Sequence, residues 1–543
     1  MSLRPCLAAL FVFLAVISCS PKAPHIDSID PKIVKAGEQL AILGSGFGSE
    51  KDESYVTIAG VSPTNSSYLS WRENLIVIKT PELGESGLVH VYVHGKKSNS
   101  ALFVNQTSLP VQTNEFETSP APRIVSVTPH AGPIGSLISI AGSNFGNARG
   151  QVLFPWEGGN FSSVSMDARN REYITPSESE FGYELWNDRE IRVRIPDGAA
   201  SGNIEVRVSH GNSRPFFIDI SARPGSKVFN DKRSYSFKFS ANFKVKEAGG
   251  NNALYVWMPK PAESAAQRNI ELLSRNAQPY ADDSPAAGIF QLANLRPGQD
   301  THIDLAYKVD VYAVETNIRP QSIKQEDETP AKAAFTKSSP LIPCDNPLIK
   351  SHASVLIGRE RNPYIKAQRI YEWFIGERIV GSESDAAQDI PNSAVEALQA
   401  RRADSYTAAL LYCALARACG VPCIPVAGVL INRNRQTFKH YWAEFWVDGF
   451  GWIPVDIGLG SGAAPVDFQT RTDRASYYFG NIDSQRIAFS RGQAFFPQMD
   501  TAGRTISHTR SYAFQNIWEE ASGELEAYSS LWSDIIITGI YSQ

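Results

Sequence analysis

An internal repeat constrains this chain more than any other feature of it. Pro24-His-Ile-Asp-Ser-Ile-Asp-Pro31 returns as Pro122-Arg-Ile-Val-Ser-Val-Thr-Pro129, and Gly44-Ser-Gly-Phe-Gly48 as Gly142-Ser-Asn-Phe-Gly146, each 98 residues on. Trp71, Pro81 and Ser86-Gly87 return as Trp186, Pro196 and Ser201-Gly202 at a spacing of 115, so the second copy carries 17 extra residues between Phe145 and Trp186. Runs such as Leu75-Ile-Val-Ile78 and Ile204-Glu-Val-Arg-Val208 are bounded by Gly and Pro and read as short strands. Gly-Ser-Gly also opens phosphate loops, but a helix must then follow, and neither copy has a helical pattern there. The glycines are read as turns. Two tandem β-domains follow, over 24–106 and 121–221, with 107–120 as linker.

At 543 residues the chain has room for further domains. From 227 to 330, Tyr235-Ser-Phe-Lys-Phe-Ser-Ala-Asn-Phe-Lys-Val245 and Ile303-Asp-Leu-Ala-Tyr-Lys-Val-Asp-Val311 alternate with the period of half-buried strands. Helical patterning begins near 346, with Pro347-Leu-Ile-Lys, a run over Asn362–Phe374 and a short Ser393–Leu398 segment. The next helix starts at Ser or Asp in Ala403-Asp-Ser405 and stops at Gly420, with Pro422 beyond. It is apolar around nearly its whole circumference and is predicted to be buried. Phe438–Val447, a Gly-rich turn and Trp452-Ile-Pro-Val-Asp456 form a hairpin. If Trp446 pairs with Trp452, Asp456 falls opposite Trp442 and His440 becomes its diagonal neighbour on one face. A slip of one residue would separate them. Residues 493–543 are read as a C-terminal extension packing on the core. Residues 20–222 and 223–543 are each expected to fold alone.

The ends and the charge narrow the function. Arg4, a roughly 13-residue apolar run and Ser18-Cys19 describe an export signal over 1–18, too short to span a bilayer. Val16-Ile-Ser-Cys19 resembles the bacterial lipobox, which implies acylation of Cys19 and a lipid anchor in the cell envelope, periplasmic or surface. With 52 basic and 56 acidic residues, net −4, no domain-wide basic surface exists for nucleic acid. Cys344, Cys413, Cys419 and Cys423 fit neither a disulfide framework nor zinc spacing. They read as small buried hydrophobes, with one disulfide as the alternative. No metal-ligand cluster or phosphate loop is visible, so no cofactor and no metal site is expected.

The repeats resemble IPT/TIG domains, small immunoglobulin-like β-sandwiches that serve as spacers or protein-binding modules. Residues 346–492 resemble the transglutaminase-like core, a papain-related α+β fold. Its motifs are matched by Arg402-Ala-Asp-Ser405, Arg417-Ala-Cys-Gly-Val-Pro422, His440-Tyr-Trp-Ala-Glu444 and Trp452-Ile-Pro-Val-Asp456, and Tyr478–Gly492 is similar to bacterial members. The 227–330 region resembles the β domain that often precedes such a core. The expected fold is therefore multidomain: two immunoglobulin-like sandwiches, a further β domain and the α+β core.

The resemblance implies Ser405 as nucleophile, His440 as base and Asp456 as orienting carboxylate. The family's nucleophile is a thiol, and this chain has a serine. A thiol beside an imidazole ionises readily, whereas a hydroxyl must lose its proton during attack. Gln399, six residues before Ser405, is the oxyanion candidate, against a solvent-facing helix end. Tyr441 and Trp442 are cleft candidates, against a place in the core. Ser405 could instead be an N-cap, and His440 and Asp456 purely structural hydrogen-bonders. The expected function is amide hydrolysis or acyl transfer on protein or cell-wall peptides. The alternative is a catalytically inactive module that binds a peptide or glycan.

Overall fold

A computed structural model of the chain describes residues 23–35, 37–81, 86–105, 120–158, 173–220, 223–282, 284–323, 329–381 and 391–542. The signal segment and Cys19 lie outside them. Two compact units emerge, Met1–Asn114 with Pro497–Thr501, and Glu115–Phe496 with Ala502–Gln543. No helix among the described residues is long and apolar enough to cross a membrane.

The first repeat is a sandwich. A sheet of His25–Asp30, Gln39–Ser45, Leu75–Lys79 and Tyr68–Arg72 faces a second containing Ala101–Asn105, Gly87–Val93 and Tyr55–Ile58. Leu40, Ile42, Phe47, Val56, Ile76 and Val89 fill the space between. The second repeat reproduces the first sheet's strand order with Arg123–Thr128, Leu137–Ser143, Glu190–Arg194 and Tyr183–Trp186. Both copies break register after the same isoleucine, Ile26 or Ile124, where it pairs with Gly44 or Gly142. The glycine is obligatory: a Cβ on Gly44 would sit 2.0 Å from the His25 carbonyl oxygen, and one on Gly142 2.1 Å from that of Arg123. The motif therefore closes a strand pair, with Phe47 or Phe145 buried beneath it.

The second sandwich does not close its core alone. Ile134, Phe145 and Trp156 share one apolar cluster with Tyr312, Val426, Trp442, Ile482 and Ala488 from the regions that follow. This corrects the expectation that 20–222 and 223–543 are independent. Behind it, the 35-residue strand Gly225–Pro259 runs antiparallel to Asp300–Ile318. The same strand takes up Glu519–Trp532 and Ile536–Ser542 from the C-terminus. The extension thus packs on the core, through Phe514 in the helical cluster and through Trp518, Ile535 and Ile537 against Val429, Ile431 and Ile487, while its strands complete the neighbouring sheet.

In the last region the helices Pro347–Ile357, Pro363–Gly376, Ala394–Ala400 and Ser405–Ala418 form where the sequence placed them. They pack on a four-stranded antiparallel sheet ordered Gly451–Val455, Thr437–Val447, Cys423–Ile431 and Arg486–Arg491. Tyr441, Ala443, Phe445 and Val447 face the Ser405 helix, whose residues from Tyr406 to Ala416 are buried. Alternate residues, Trp442 among them, face the second sandwich.

Candidate functional site

Asp404, not Ser405, caps the buried helix. Its carboxylate accepts from the Thr407 N–H at 2.9 Å, and the Thr407 hydroxyl accepts from the Asp404 N–H in return. Arg510 pairs with the other Asp404 oxygen and lies over the Tyr406 ring. Ser405 is therefore the first helical residue, half-buried, with no partner for its hydroxyl among the described residues. Its neighbours in the first turn present backbone N–H groups that the helix cannot satisfy, the positive end of the helix dipole.

The hairpin adopts the expected register, Trp446 opposite Trp452 and Ala443 opposite Val455. One residue on, Asp456 leaves the strand and caps the short helix Ile457–Ser461, accepting from Leu459 N at 2.9 Å. Its carboxylate oxygens lie 3.0 and 2.9 Å from His440 Nε2. A carboxylate only accepts, so Nε2 carries a proton, and in the neutral tautomer the lone pair is on Nδ1. Gly458 joins this pair to the helix: a Cβ there would lie 3.0 Å from His440 Cε1 and 3.4 Å from Ser405 Cβ. Ser405 and the imidazole thus border one small space, although no hydrogen bond joins them.

Three further residues complete the site. Arg486, 3% exposed, donates to Asp456 Oδ2 at 2.8 Å and to Asp483 Oδ2 at 2.7 Å. Tyr478 donates to the same Asp483 oxygen at 2.9 Å. Burial alone would raise the Asp456 carboxyl, but the charges of His440 and Arg486 and the hydrogen bonds outweigh it and hold the group at about 2. Asp456 is a fixed anion between two donors. Trp442 lies between them, 23° from parallel to the His440 ring at 6.3 Å, with the Arg486 guanidinium 4.9 Å from its centroid. Sequence reasoning missed Arg486 and Asp483. The available signal was a charged pair three residues apart at the head of the apolar strand Arg486-Ile-Ala-Phe489.

The remaining candidates do not line a cleft. Tyr441 and Trp442 are 4% and 3% exposed, so neither lines an open cleft. Tyr441 donates to the Ser511 carbonyl and packs edge-on against Tyr406. Gln399 is exposed on the last turn of Ala394–Ala400, with no contact drawing it toward His440. The four cysteines among the described residues, Cys344, Cys413, Cys419 and Cys423, are free thiols; Cys413 and Cys423 are buried with their sulfurs 3.4 Å apart.

A hydroxyl at a helix start beside a carboxylate-held imidazole is the grouping used in acyl transfer on several unrelated folds. Comparison with known proteins agrees at the level of the domains. Residues 350–457 match the transglutaminase-like superfamily, and 24–113 and 122–222 each match the IPT/TIG domain. The chain is thus a protein of two IPT/TIG domains and a transglutaminase-like core. An uncharacterized protein of Haemophilus influenzae is 24% identical over 317 residues, 50% of this chain and 83% of that one. A solved structure from Cytophaga hutchinsonii, described as a candidate cysteine protease, is 13% identical with a TM-score of 0.38, covering 58% of this chain and 93% of its own. SGBP-B from a xyloglucan utilization locus of Bacteroides uniformis is 11% identical with a TM-score of 0.20, covering 54% and 99%. The periplasmic domain of TgpA from Pseudomonas aeruginosa is 14% identical with a TM-score of 0.24, covering 41% and 88%. Likenesses at these scores carry no argument about function.

Proposed function

We propose that this protein is an envelope lipoprotein, anchored through Cys19, whose core cleaves or transfers acyl groups of protein or cell-wall peptides by way of Ser405. The observation that carries the reading is the release of Ser405 from capping by Asp404, beside an imidazole that bonds Asp456 through Nε2 and so, in its neutral form, turns the lone pair of Nδ1 to the proton of Ser405. Ser405 Oγ attacks the carbonyl carbon while its proton passes to His440 Nδ1. Asp456 stabilises the resulting imidazolium, and the free N–H groups of the first helical turn face the developing oxyanion. The proton then leaves with the amine as the C–N bond breaks. Water or a second amine resolves the acyl-enzyme, regenerating Ser405.

A second reading, peptide or glycan binding without chemistry, is favoured by one observation: Ser405 makes no hydrogen bond to His440. An activated ester separates the two. The full chain should hydrolyse p-nitrophenyl butyrate above background, and Ser405→Ala should return the rate to background. Equal rates for the two proteins would overturn the catalytic reading.

A further inference from the structure

The two sandwiches differ on a face that neither core needs. In the first, the second sheet runs Ile33–Val34, Ala101–Asn105, Gly87–Val93 and Tyr55–Ile58, with Lys96–Lys97 beside Gly87–Val93. Val56, Val89, Val91 and Phe103 turn into the core, and alternate residues turn outward. Ile33, Tyr55, Leu88 and Leu102 are 49, 40, 46 and 63% exposed. Tyr55 pairs with Tyr92, their rings stacked at 4.7 Å, and Leu88 pairs with Leu102. Between these pairs lies His90, whose imidazole is pushed below its ordinary value by burial and by the Lys97 charge, so it is neutral at neutral pH. None of the five strands contains an acidic residue. In the second sandwich the places of Tyr55, Leu88, His90 and Tyr92 are taken by Gln151, Asn203, Glu205 and Arg207. The fold thus accepts charge on this face, and the first copy has an apolar patch there.

We propose that this face rests on the membrane that holds the chain, against the headgroups of anionic phospholipid. The inference depends on the acylation of Cys19 proposed above. The tether argues for that occupant. Pro24 is five residues beyond Cys19, a span of at most about 18 Å. The chain enters the sandwich at the Tyr55–Tyr92 end of the patch. There the Ile26 N–H donates to Asn99 Oδ1 at 2.6 Å and Asn99 Nδ2 donates to the Ile26 carbonyl at 2.8 Å. Asn99 closely follows Lys97, which pairs with Tyr92 across the strands. The lipid surface therefore stays near the patch, and a contact too weak to hold a free protein is populated by a tethered one. The chemistry also matches. Tyrosine is favoured at headgroup level, its ring toward the apolar side and its hydroxyl toward water. Lys32 and Lys97 flank the patch, both exposed and without an ion-pair partner among the described residues. Lys97 lies over the Tyr92 ring at 5.9 Å, its stem along apolar surface and its charge free for a phosphate.

The test holds the full mature chain, from residue 20, by an N-terminal hexahistidine on vesicles of phosphatidylcholine and phosphatidylglycerol in equal parts with a trace of nickel-chelating lipid. The histidine tether replaces the acyl chains, so failure here is distinct from failure of acylation, which detergent partitioning of Cys19→Ala reads separately. A nitrobenzoxadiazole label is placed at Leu88→Cys, or at Leu43→Cys on the opposite outer face, in a Cys419→Ser background. Lipid brominated in its acyl chains should quench the label at 88 at least twofold more than the label at 43. Lys97→Glu combined with Leu102→Glu, both exposed and outside the core, should remove that difference without moving the thermal midpoint. Equal quenching at the two positions, or a difference that survives the double variant, would overturn the proposal. So would a dimer in size-exclusion chromatography that Leu102→Glu dissociates, because the face would then belong to a second copy.

Discussion

Asp456 carries a full charge at a position with no exposure, and the residues around it explain why that is tolerated. Arg486 is the counter-ion it shares with Asp483, and removing one partner of a buried ion network costs far more than its presence gains. Arg486→Met should lower unfolding free energy by about 3 kcal/mol in urea titrations; a loss under about 1 kcal/mol would mean His440 alone suffices. The pH dependence has a definite sign. Asp456 sits at about 2 against an ordinary 3.8, so the folded chain keeps it ionised where the unfolded chain would protonate it. Its stabilisation is complete above the ordinary value and is lost as pH falls through about 2. That contribution, about 2 kcal/mol, should disappear across this acid window in the wild type and be missing from Asp456→Asn throughout. At this scale the sequence was readable where motifs carried the signal, at Ser405, His440 and Asp456. It could not choose between Asp404 and Ser405 as the cap, because both residue types are good N-caps and only the chain path decides. Arg486 was hidden for a related reason: a buried arginine is recognised only with its partners in place.

The elements position the site through close approach rather than through long side chains. Gly458 lies on the short helix after Asp456, where a methyl group would press on His440 Cε1 at 3.0 Å. Alanine is the better helix former, so Gly458→Ala should retain the thermal midpoint while displacing the ring. Serine-directed labelling should then fall at least tenfold; unchanged labelling would show that the imidazole has room to spare. Asp404→Ala removes the cap and the Arg510 pair together, and should cost about 1 kcal/mol or slightly more in urea unfolding. The hairpin register was legible from Trp446, Trp452 and the Gly-rich turn between them, because local pairing leaves a local pattern. The strand Gly225–Pro259 was seen only in fragments, since its partners near 300 and 530 lie far along the chain.

For the molecule as a whole, the repeat announced two sandwiches and gave no sign that they are used differently. The first closes its own core, and a fragment of residues 23–105 should unfold cooperatively by itself. The second shares its core with the transglutaminase-like region. A 223–543 fragment would therefore expose Tyr312, Val426 and Trp442, and should aggregate or melt well below a 115–543 fragment in size-exclusion and circular dichroism measurements. Equal melting of the two would show that the shared cluster contributes little. The seam was not legible because its apolar residues satisfy strand patterns whether or not a neighbour covers them. The central claim is that Ser405 is a nucleophile served by His440, and covalent labelling tests it most directly. The full chain is treated with a fluorophosphonate probe and the adduct located by peptide mass spectrometry. The account predicts a single adduct on Ser405, abolished in a folded His440→Ala protein and reduced less completely in Asp456→Asn. An unlabelled Ser405, or labelling that persists without His440, would contradict it.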